Sequence, residues 1–193
     1  IVAAASPTVD TKSNVQQTVM GQDLMEGVPT GRDPWSLAKI IPGVQLSTYD
    51  VGGTQSYQQS NMSAHGSLNA DKTFSIDGMA VNWTGGDGGS TMLYYDQGMF
   101  EEVNYQTSAI PAEVATGGIY MNMVTKNAGN LWRGDVRFNY ANEDLQSDNS
   151  GTPELERFNF PGGNPIQRAY DFNVAGGGAV IRDELWVNGA SRK

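Results

Sequence analysis

The sequence predicts a fold of the α+β class that is rich in strands, with short helices as a minority element. The chain of 193 residues contains 24 glycines, four tryptophans and eight tyrosines, and only 17% of its residues are charged. Aromatic residues favour strands, and frequent glycines favour the turns between them. Several short stretches also alternate apolar and polar residues, as strands with one buried face do. We therefore expect strands and turns to dominate over helices.

Composition excludes several classes of partner and chemistry. The formal net charge is -9 and the pI is about 4.4, with no basic stripe. Nucleic-acid binding draws on clustered Lys and Arg, so a nucleic-acid partner is not expected. The chain has no cysteine, which excludes disulfides, thiolate metal sites and cysteine nucleophiles.

The sequence has no apolar run that approaches the roughly 20 residues of a membrane-spanning helix. A membrane location would therefore require a β-barrel. The chain begins at Ile1 without the basic and apolar regions of a signal peptide. Its last residues, 185–193, have the pattern of an interrupted strand. We expect the chain to be a part of a longer protein.

Two short helices are predicted in the first quarter of the chain. A strand at residues 18–20 precedes the first helix, for which Asp23 is the predicted N-cap. The second helix has stronger signals, with Asp33 as N-cap and Pro34 at the first helical position. The side chains expected to share its buried face are Trp35, Ala38 and either Ile40 or Ile41.

The middle of the chain is predicted to alternate loops with short strands. Residues 45–63 are polar and glycine-bearing, and we interpret them as a long loop, either a flexible insertion or a ligand-facing loop. Two strands are predicted next, at residues 62–66 and 73–77, with a turn between them. Residues 82–89 then form a glycine-dense loop.

The second half of the chain carries longer alternating segments. Strands are predicted at residues 103–106 and 119–124, joined by a linker that contains Pro111 and the pair Gly117-Gly118. Further strands are predicted at 131–140, 169–175 and 179–190, with the glycines 176–178 as a connection and Arg182-Asp183 as a tight turn. The long polar stretch 141–166 and this short turn lie at opposite ends of the strands, an asymmetry typical of outer-membrane barrels.

Several motifs together resemble a known family. They occur in this order: residues 29–33 (PTGRD), 41–44 (IPGV), 74–78 (FSIDG), 117–119 (GGI), 123–126 (MVTK) and 183–186 (DELW). In order and spacing they are similar to the plug domain and early barrel strands of TonB-dependent outer-membrane receptors, in the group whose plug follows a carboxypeptidase-regulatory-like domain. Two positions depart from the family pattern. His65 stands where Arg or Gly is usual, and the asparagine that usually follows Ile119 is displaced to Asn122.

The resemblance implies both an architecture and a function. It implies an α+β plug at residues 1–128, a small mixed sheet with short helices, followed by the first antiparallel strands of a transmembrane β-barrel at 129–193. The implied function is nutrient uptake across the bacterial outer membrane, energised through a TonB-type periplasmic protein. The expected contacts are an extracellular small-molecule, peptide or oligosaccharide ligand and outer-membrane lipid, with no cofactor or metal.

The predicted ligand contacts lie in two loops. Aromatic side chains beside glycine-rich loops stack on sugars or on apolar parts of ligands, although core packing is the alternative for the same residues. The predicted contacts are Tyr49, Tyr57, Trp83, Asp87, Tyr94 and Tyr95.

An enzymatic function is not predicted. His65 is the single histidine, and the chain has no nucleophile elbow, so we expect His65 to be a hydrogen-bonded strand residue. Asp144, Asp148 and Asn149 miss the EF-hand spacing and are expected to form a solvated loop. The alternative to a transporter is a secreted or surface-attached β-rich binding or structural module of an envelope assembly.

Overall fold

The computed structural model describes residues 15–28, 30, 33–47, 59–85, 88–115, 117–147, 152–158 and 166–193. The strands are β1 (Gln16–Gly21), β2 (Val44–Leu46), β3 (Met62–Ala64), β4 (Lys72–Ile76), β5 (Met79–Ala80), β6 (Phe100–Ser108), β7 (Ile119–Thr125), β8 (Arg133–Asn142), β9 (Arg168–Ile181) and β10 (Leu185–Arg192). The helices are α1 (Gln22–Gly27), α2 (Pro34–Leu37) and α3 (Pro153–Glu156). Within these ranges, no helix has the length and apolar character needed to cross a membrane.

The strands form three sheets. A five-stranded sheet has the order β1-β6-β7-β4-β5, and β4 runs parallel to β7 while the other pairs are antiparallel. A three-stranded antiparallel sheet has the order β10-β9-β8, and β2 pairs with β3 in a separate two-stranded sheet. The mixed sheet with short helices and the three later antiparallel strands confirm the predicted fold class.

Helix α2 begins as its sequence predicts. The carboxylate of Asp33 accepts hydrogen bonds from the backbone N–H groups of Trp35 (2.9 Å) and Ser36 (2.8 Å), which are otherwise unpaired at a helix start. Trp35, Ala38 and Ile41 are buried, whereas Ile40 is exposed, so Ile41 completes the predicted apolar face.

Helix α1 begins differently from the prediction. Gly21, the last residue of β1, occupies the N-cap position, and Asp23 lies inside the first turn. The prediction of Asp23 as N-cap was therefore wrong. The strand runs directly into the helix, so no residue separates them, and the acidic side chain sits near the positive end of the helix dipole instead.

The segment around His65 also differs from the prediction. Residues 45–63 are not a loop at their two ends, because β2 and β3 pair there. His65 is not a strand residue: it is exposed, has φ +53°, and precedes Gly66 at φ +79°. Strand β3 ends at this turn. It pairs with β2, whereas β4 pairs with β5 and β7, so β3 and β4 do not form a hairpin.

The Asp-Gly pair that follows β4 forms the turn between β4 and β5. Asp77 and Gly78 have φ +48° and +83°, the combination that a tight hairpin turn requires. The Asp77 carboxylate also accepts hydrogen bonds from the backbone N–H (3.0 Å) and the hydroxyl (2.7 Å) of Thr125. Asp77 therefore fixes the hairpin to the end of β7.

Strand β9 is longer than predicted. Glycines 176–178 were predicted to connect two strands, but they lie inside one strand and pair with β8 and β10. A Cβ on Gly178 would lie 2.6 Å from the side chain of Trp132, so this glycine makes room for an indole ring. The turn predicted at Arg182-Asp183 is confirmed, with Asp183 at φ +63°.

Tyr105 joins α2 to the five-stranded sheet. Its ring is fully buried, and its hydroxyl donates a hydrogen bond to the Pro34 carbonyl. Burial raises the pKa of Tyr105 well above its usual value, and the nearby charge of Asp33 raises this pKa further. The folded state therefore holds the phenol protonated at pH values where the unfolded chain releases its proton.

This pKa shift predicts a loss of stability at alkaline pH. Below pH 10 the phenol is neutral in both states, so the contribution is fully present there. Above pH 10 the unfolded state binds fewer protons, and the free energy of unfolding should fall by up to about 1.4 kcal/mol per pH unit. Urea unfolding between pH 8 and 11 should show a steeper decline in the wild type than in Tyr105→Phe. Parallel declines would contradict the prediction.

Candidate functional site

The three-stranded sheet has one apolar and one polar face. Val136, Phe138 and Tyr140 of β8 stand directly opposite partners on β9, and these side chains share one face. The partners are Val174, Phe172 and Tyr170, and the six side chains are between 40% and 67% exposed. The intervening residues on both strands are polar and face the five-stranded sheet.

The polar face contacts the segments that flank the five-stranded sheet. Arg137 of β8 forms an ion pair with Glu26 of α1 (2.8 Å). Asn173 of β9 donates hydrogen bonds from Nδ2 to both carboxylate oxygens of Asp96, each at 2.5 Å. Gly98 permits this approach, because a Cβ there would lie 3.1 Å from the Cβ of Ala175. The three-stranded sheet therefore meets α1 and the segment before β6 mainly through polar contacts.

Aromatic side chains lie at both ends of the apolar face. At the end nearest the Asp183 turn, the indole N–H of Trp132 donates to the Ala179 carbonyl (3.1 Å). At the other end, Tyr140 stands opposite Tyr170. Aromatic girdles flanking an apolar band are typical of strands that cross a bilayer.

A cavity of about 370 Å³ lies between the aromatic segment that precedes β6 and the end of β10. Tyr94 and Tyr95 line it together with Trp35 and Arg192. Tyr94 packs edge-on against Trp35 with ring centroids 6.3 Å apart, and Tyr95 packs edge-on against Phe100 at 6.2 Å. The lining combines aromatic rings with the guanidinium group of Arg192, which is paired with Asp171, and the carboxyl groups of Asp33 and Asp96. Aromatic faces of this kind suit planar ligand groups.

Only some of the predicted ligand contacts lie at this cavity. Tyr94 is 60% exposed beside the cavity, whereas Tyr95 is more buried and its pKa is raised by burial. Trp83 is 45% exposed but does not line this cavity; its indole lies over Gly85, where a Cβ would be 2.7 Å from Nε1. Tyr49, Tyr57 and Asp87 lie outside the described residues.

Trp35 and Arg192 are among the residues of this cavity that sequence reasoning missed. Trp35 was predicted as a core residue of α2, and it is buried, but it also lines the cavity. Arg192 lies about 100 positions after the aromatic segment in the sequence, and it reaches the cavity only because β10 packs beside that segment. The polar alternation along β10 was the available signal for Arg192.

The described part of the chain contains no group of three His, Cys, Asp or Glu side chains placed to hold a metal ion. Asp144 accepts a hydrogen bond from the Asn142 side chain (3.1 Å), while Asp148 and Asn149 lie outside the described residues. His65 lies in an exposed turn and does not line the cavity around Tyr94.

The fold is similar to those of solved outer-membrane receptors. The siderophore receptor PirA from Acinetobacter baumannii matches with TM-score 0.61 and 18% identity, over 91% of this chain and 24% of that chain. The outer membrane transporter YddB from Escherichia coli matches with TM-score 0.65 and 17% identity, over 91% and 26%. The ferripyoverdine receptor of the outer membrane of Pseudomonas aeruginosa matches with TM-score 0.59 and 16% identity, over 95% and 20%.

These matches define the architecture. The chain spans about a quarter of the length of the first two structures. No family model and no curated protein matches the sequence. The chain has the fold of the plug domain and first barrel strands of TonB-dependent outer-membrane receptors.

Proposed function

We propose that this chain is the plug, residues 1–128, and the first barrel strands, residues 129–193, of a bacterial outer-membrane transporter that takes up a nutrient. The observation that carries the proposal is the two-faced sheet of β8, β9 and β10, whose polar face contacts α1 and the segment before β6 while its apolar face is exposed. A barrel strand with a plug on its lumen side and lipid on its outer side requires this arrangement.

The dimensions of the apolar face support contact with outer-membrane lipid. Trp132, which directly precedes β8, and Tyr140 of β8 mark its two ends, eight residues apart. Eight steps of about 3.3 Å span about 26 Å along the strand, and a tilt of roughly 40° reduces this to about 20 Å along the membrane normal. The apolar band of outer-membrane barrels is about 25 Å tall, so the face matches most of that thickness.

The exposed apolar face distinguishes a transporter from a surface-attached binding module. A water-soluble module would expose the row from Val136 to Tyr140 to water, and contiguous apolar patches of this kind mark lipid or protein contacts. The open edges of a three-stranded sheet also need partner strands, because unpaired backbone groups are not tolerated in lipid. Closing a barrel around a plug takes many strands, about 22 in transporters of this architecture.

The proposed ligand site is the aromatic cavity around Tyr94 and Tyr95, with Trp83, Tyr49, Tyr57 and Asp87 as further proposed contacts. The ligand is an extracellular small molecule, peptide or oligosaccharide. One structural neighbour is named as a siderophore receptor and another as a ferric enterobactin receptor, so a ferric chelate is the first ligand class to test. The chain acts by binding and not by catalysis, and a TonB-type periplasmic protein supplies the energy for transport.

A substitution at the centre of the apolar face tests the membrane assignment. Val136 lies midway between Trp132 and Tyr140 and is 67% exposed. In the full-length protein, Val136→Arg should lower the stability of the folded, membrane-inserted state by about 2–4 kcal/mol, the cost of a cation at the bilayer midplane. The measurement is the fraction of folded protein recovered in the outer-membrane fraction and its urea unfolding in lipid vesicles.

The matched control is Asn139→Arg, which places the same side chain on the opposite face of the same strand. Asn139 shares the polar face, where its side chain donates to Asp171 (3.3 Å). We expect this variant to insert nearly as well as the wild type. Equal recovery of both variants at the wild-type level would contradict the membrane assignment.

A further inference from the structure

The charged side chains of the cavity around Tyr94 limit the charge that its ligand can carry. In the described part of the chain, Asp33 and Asp96 line it as carboxylates and Arg192 is the one basic residue. Arg192 donates to both oxygens of Asp171, from Nε (2.9 Å) and from Nη2 (3.0 Å). This ion pair neutralises the guanidinium group, so the lining is negative overall. An anionic group of a ligand would be repelled here.

Asp96 keeps the capacity to accept one more hydrogen bond. Its carboxylate accepts from the Gly98 N–H (2.8 Å) and, through both oxygens, from the Asn173 side chain. A carboxylate offers about four acceptor positions, so one remains after these three bonds. Asp96 lines the cavity, and a hydroxyl group of a ligand would suit this position.

Trp35 supplies a donor that has no acceptor in the protein. Its side chain lines the cavity and is 1% exposed, and its indole Nε1 has no hydrogen-bond partner. Buried polar groups are normally paired, so this N–H requires an explanation. Tyr94 packs edge-on against Trp35 and is 60% exposed. An incoming ligand can therefore turn the Tyr94 ring towards solvent and bring an oxygen atom to the indole N–H.

We propose that this cavity binds a neutral ring that carries hydroxyl groups, namely a sugar unit of an oligosaccharide. The inference rests on the transport function proposed above and narrows its ligand class. A hydroxyl group both donates and accepts hydrogen bonds, so one sugar ring can donate to Asp96 and accept from Trp35. Its apolar C–H face can stack on the ring of Tyr94.

Other ligand classes use fewer of these groups. A cationic group would suit the carboxylates but would leave the indole N–H of Trp35 unpaired. Ferric enterobactin, which one neighbour is named for, carries a net negative charge on its catecholate oxygens and would face Asp33 and Asp96. The cavity volume of about 370 Å³ lies at the lower end of the range for small-ligand sites, about 300–1,000 Å³. It therefore suits a short saccharide or one end of a longer chain.

The test compares probes of different charge by titration calorimetry with the purified full-length protein. The neutral probes are maltotriose, cellotriose and xylotriose. The charged probes are trigalacturonate, the trimer of glucosamine and ferric enterobactin. We expect at least one neutral trisaccharide to bind about tenfold or more tightly than trigalacturonate. Absence of binding by all three neutral probes, or equal or tighter binding of trigalacturonate or ferric enterobactin, would overturn the inference.

A pair of variants tests the assigned hydrogen bond. Trp35→Phe keeps an aromatic ring but removes the N–H, and it should weaken binding of the neutral saccharide about two- to tenfold. The control is Trp132→Phe, because Trp132 does not line the cavity and its N–H donates to Ala179; its affinity should equal that of the wild type. Unchanged affinity in Trp35→Phe, or equal weakening in both variants, would contradict the assignment. If Trp35→Phe does not fold, the comparison of probes in the wild type still decides.

Failure of this inference can be told apart from failure of the transport proposal. A protein that inserts into the outer membrane and binds ferric enterobactin but no neutral trisaccharide would overturn the saccharide assignment alone. Saccharide binding by a protein that is not recovered in the outer membrane would support the saccharide assignment and contradict the transport proposal.

Discussion

We expect Gly118→Ala to destabilise the protein by about 3 kcal/mol or more, near the upper range for overpacking a closely packed site. A Cβ at this position would lie 2.2 Å from the Asp71 carbonyl oxygen and 2.7 Å from the Ser67 hydroxyl. The Asp71 carbonyl also accepts the hydrogen bond from the Ile119 N–H (3.1 Å) that helps to start β7. The backbone therefore cannot move away without losing this bond, and urea unfolding should show the full cost.

The neighbouring Gly117 provides the matched control. A Cβ on Gly117 would meet no atom within 4 Å, and its φ is not in the left-handed region. We expect Gly117→Ala to leave the free energy of unfolding unchanged or to raise it by about 0.4–1 kcal/mol, because alanine restricts the unfolded chain. Equal destabilisation by the two substitutions would contradict the difference in packing between Gly118 and Gly117.

Trp35→Ala should have the second large effect, a loss of about 3–5 kcal/mol of stability. The Trp35 side chain is 1% exposed and packs edge-on against Phe74 (6.5 Å) and Tyr94 (6.3 Å). Its removal would leave a cavity beneath α2 that these rings cannot fill. Because Tyr94 lines the proposed ligand cavity, the same substitution should also weaken ligand binding.

The control for this substitution is Trp83→Ala, which removes the same side chain from an exposed position. Trp83 is 45% exposed, so we expect a loss of no more than about 1 kcal/mol in stability. Any loss of ligand affinity in this variant would then reflect direct contact and not unfolding. Urea unfolding and ligand titration of both variants make the comparison. Equal loss of stability would contradict the assignment of Trp35 to the core and Trp83 to the surface.

Local chemistry explains the predictions that the structure confirms. Asp33 and Pro34 start α2 because capping and ring geometry act within a few residues. Asp183 forms its turn because a short polar residue tolerates positive φ. The strand alternation at residues 103–106 and 119–124 appears as β6 and β7. Each signal lies within one turn or one strand of the element that it specifies.

The errors arise where distant segments override local signals. Glycines 176–178 suggest a break, yet β8 and β10 supply hydrogen bonds to β9 on both sides and hold it extended. The chain between β3 and β4 suggests a hairpin, yet β4 pairs in parallel with β7. In each case the partner strand lies far away in sequence, so a local pattern cannot reveal it.

The candidate site likewise contains residues that the sequence predicts and residues that only the tertiary structure identifies. Composition and aromatic residues beside glycine-rich loops were sufficient to point to Tyr94 and Tyr95, which the structure places at one cavity. They could not identify Arg192 as a neighbour, because that contact depends on how β10 packs against the aromatic segment. The exclusion of Trp83 from this cavity likewise depends on its own packing over Gly85.

The sequence by itself determined the class of fold, the capped helix α2, the tight turns and the alternation that makes β8 two-faced, because each depends on residues close together in the chain. Only the tertiary structure decided that β4 pairs with β7, that Gly118 and not Gly117 is confined, and that Asp96 meets Asn173. These contacts join residues more than 40 positions apart. Their formation depends on sheet register and on the shape of the packed surfaces, which local preferences do not specify.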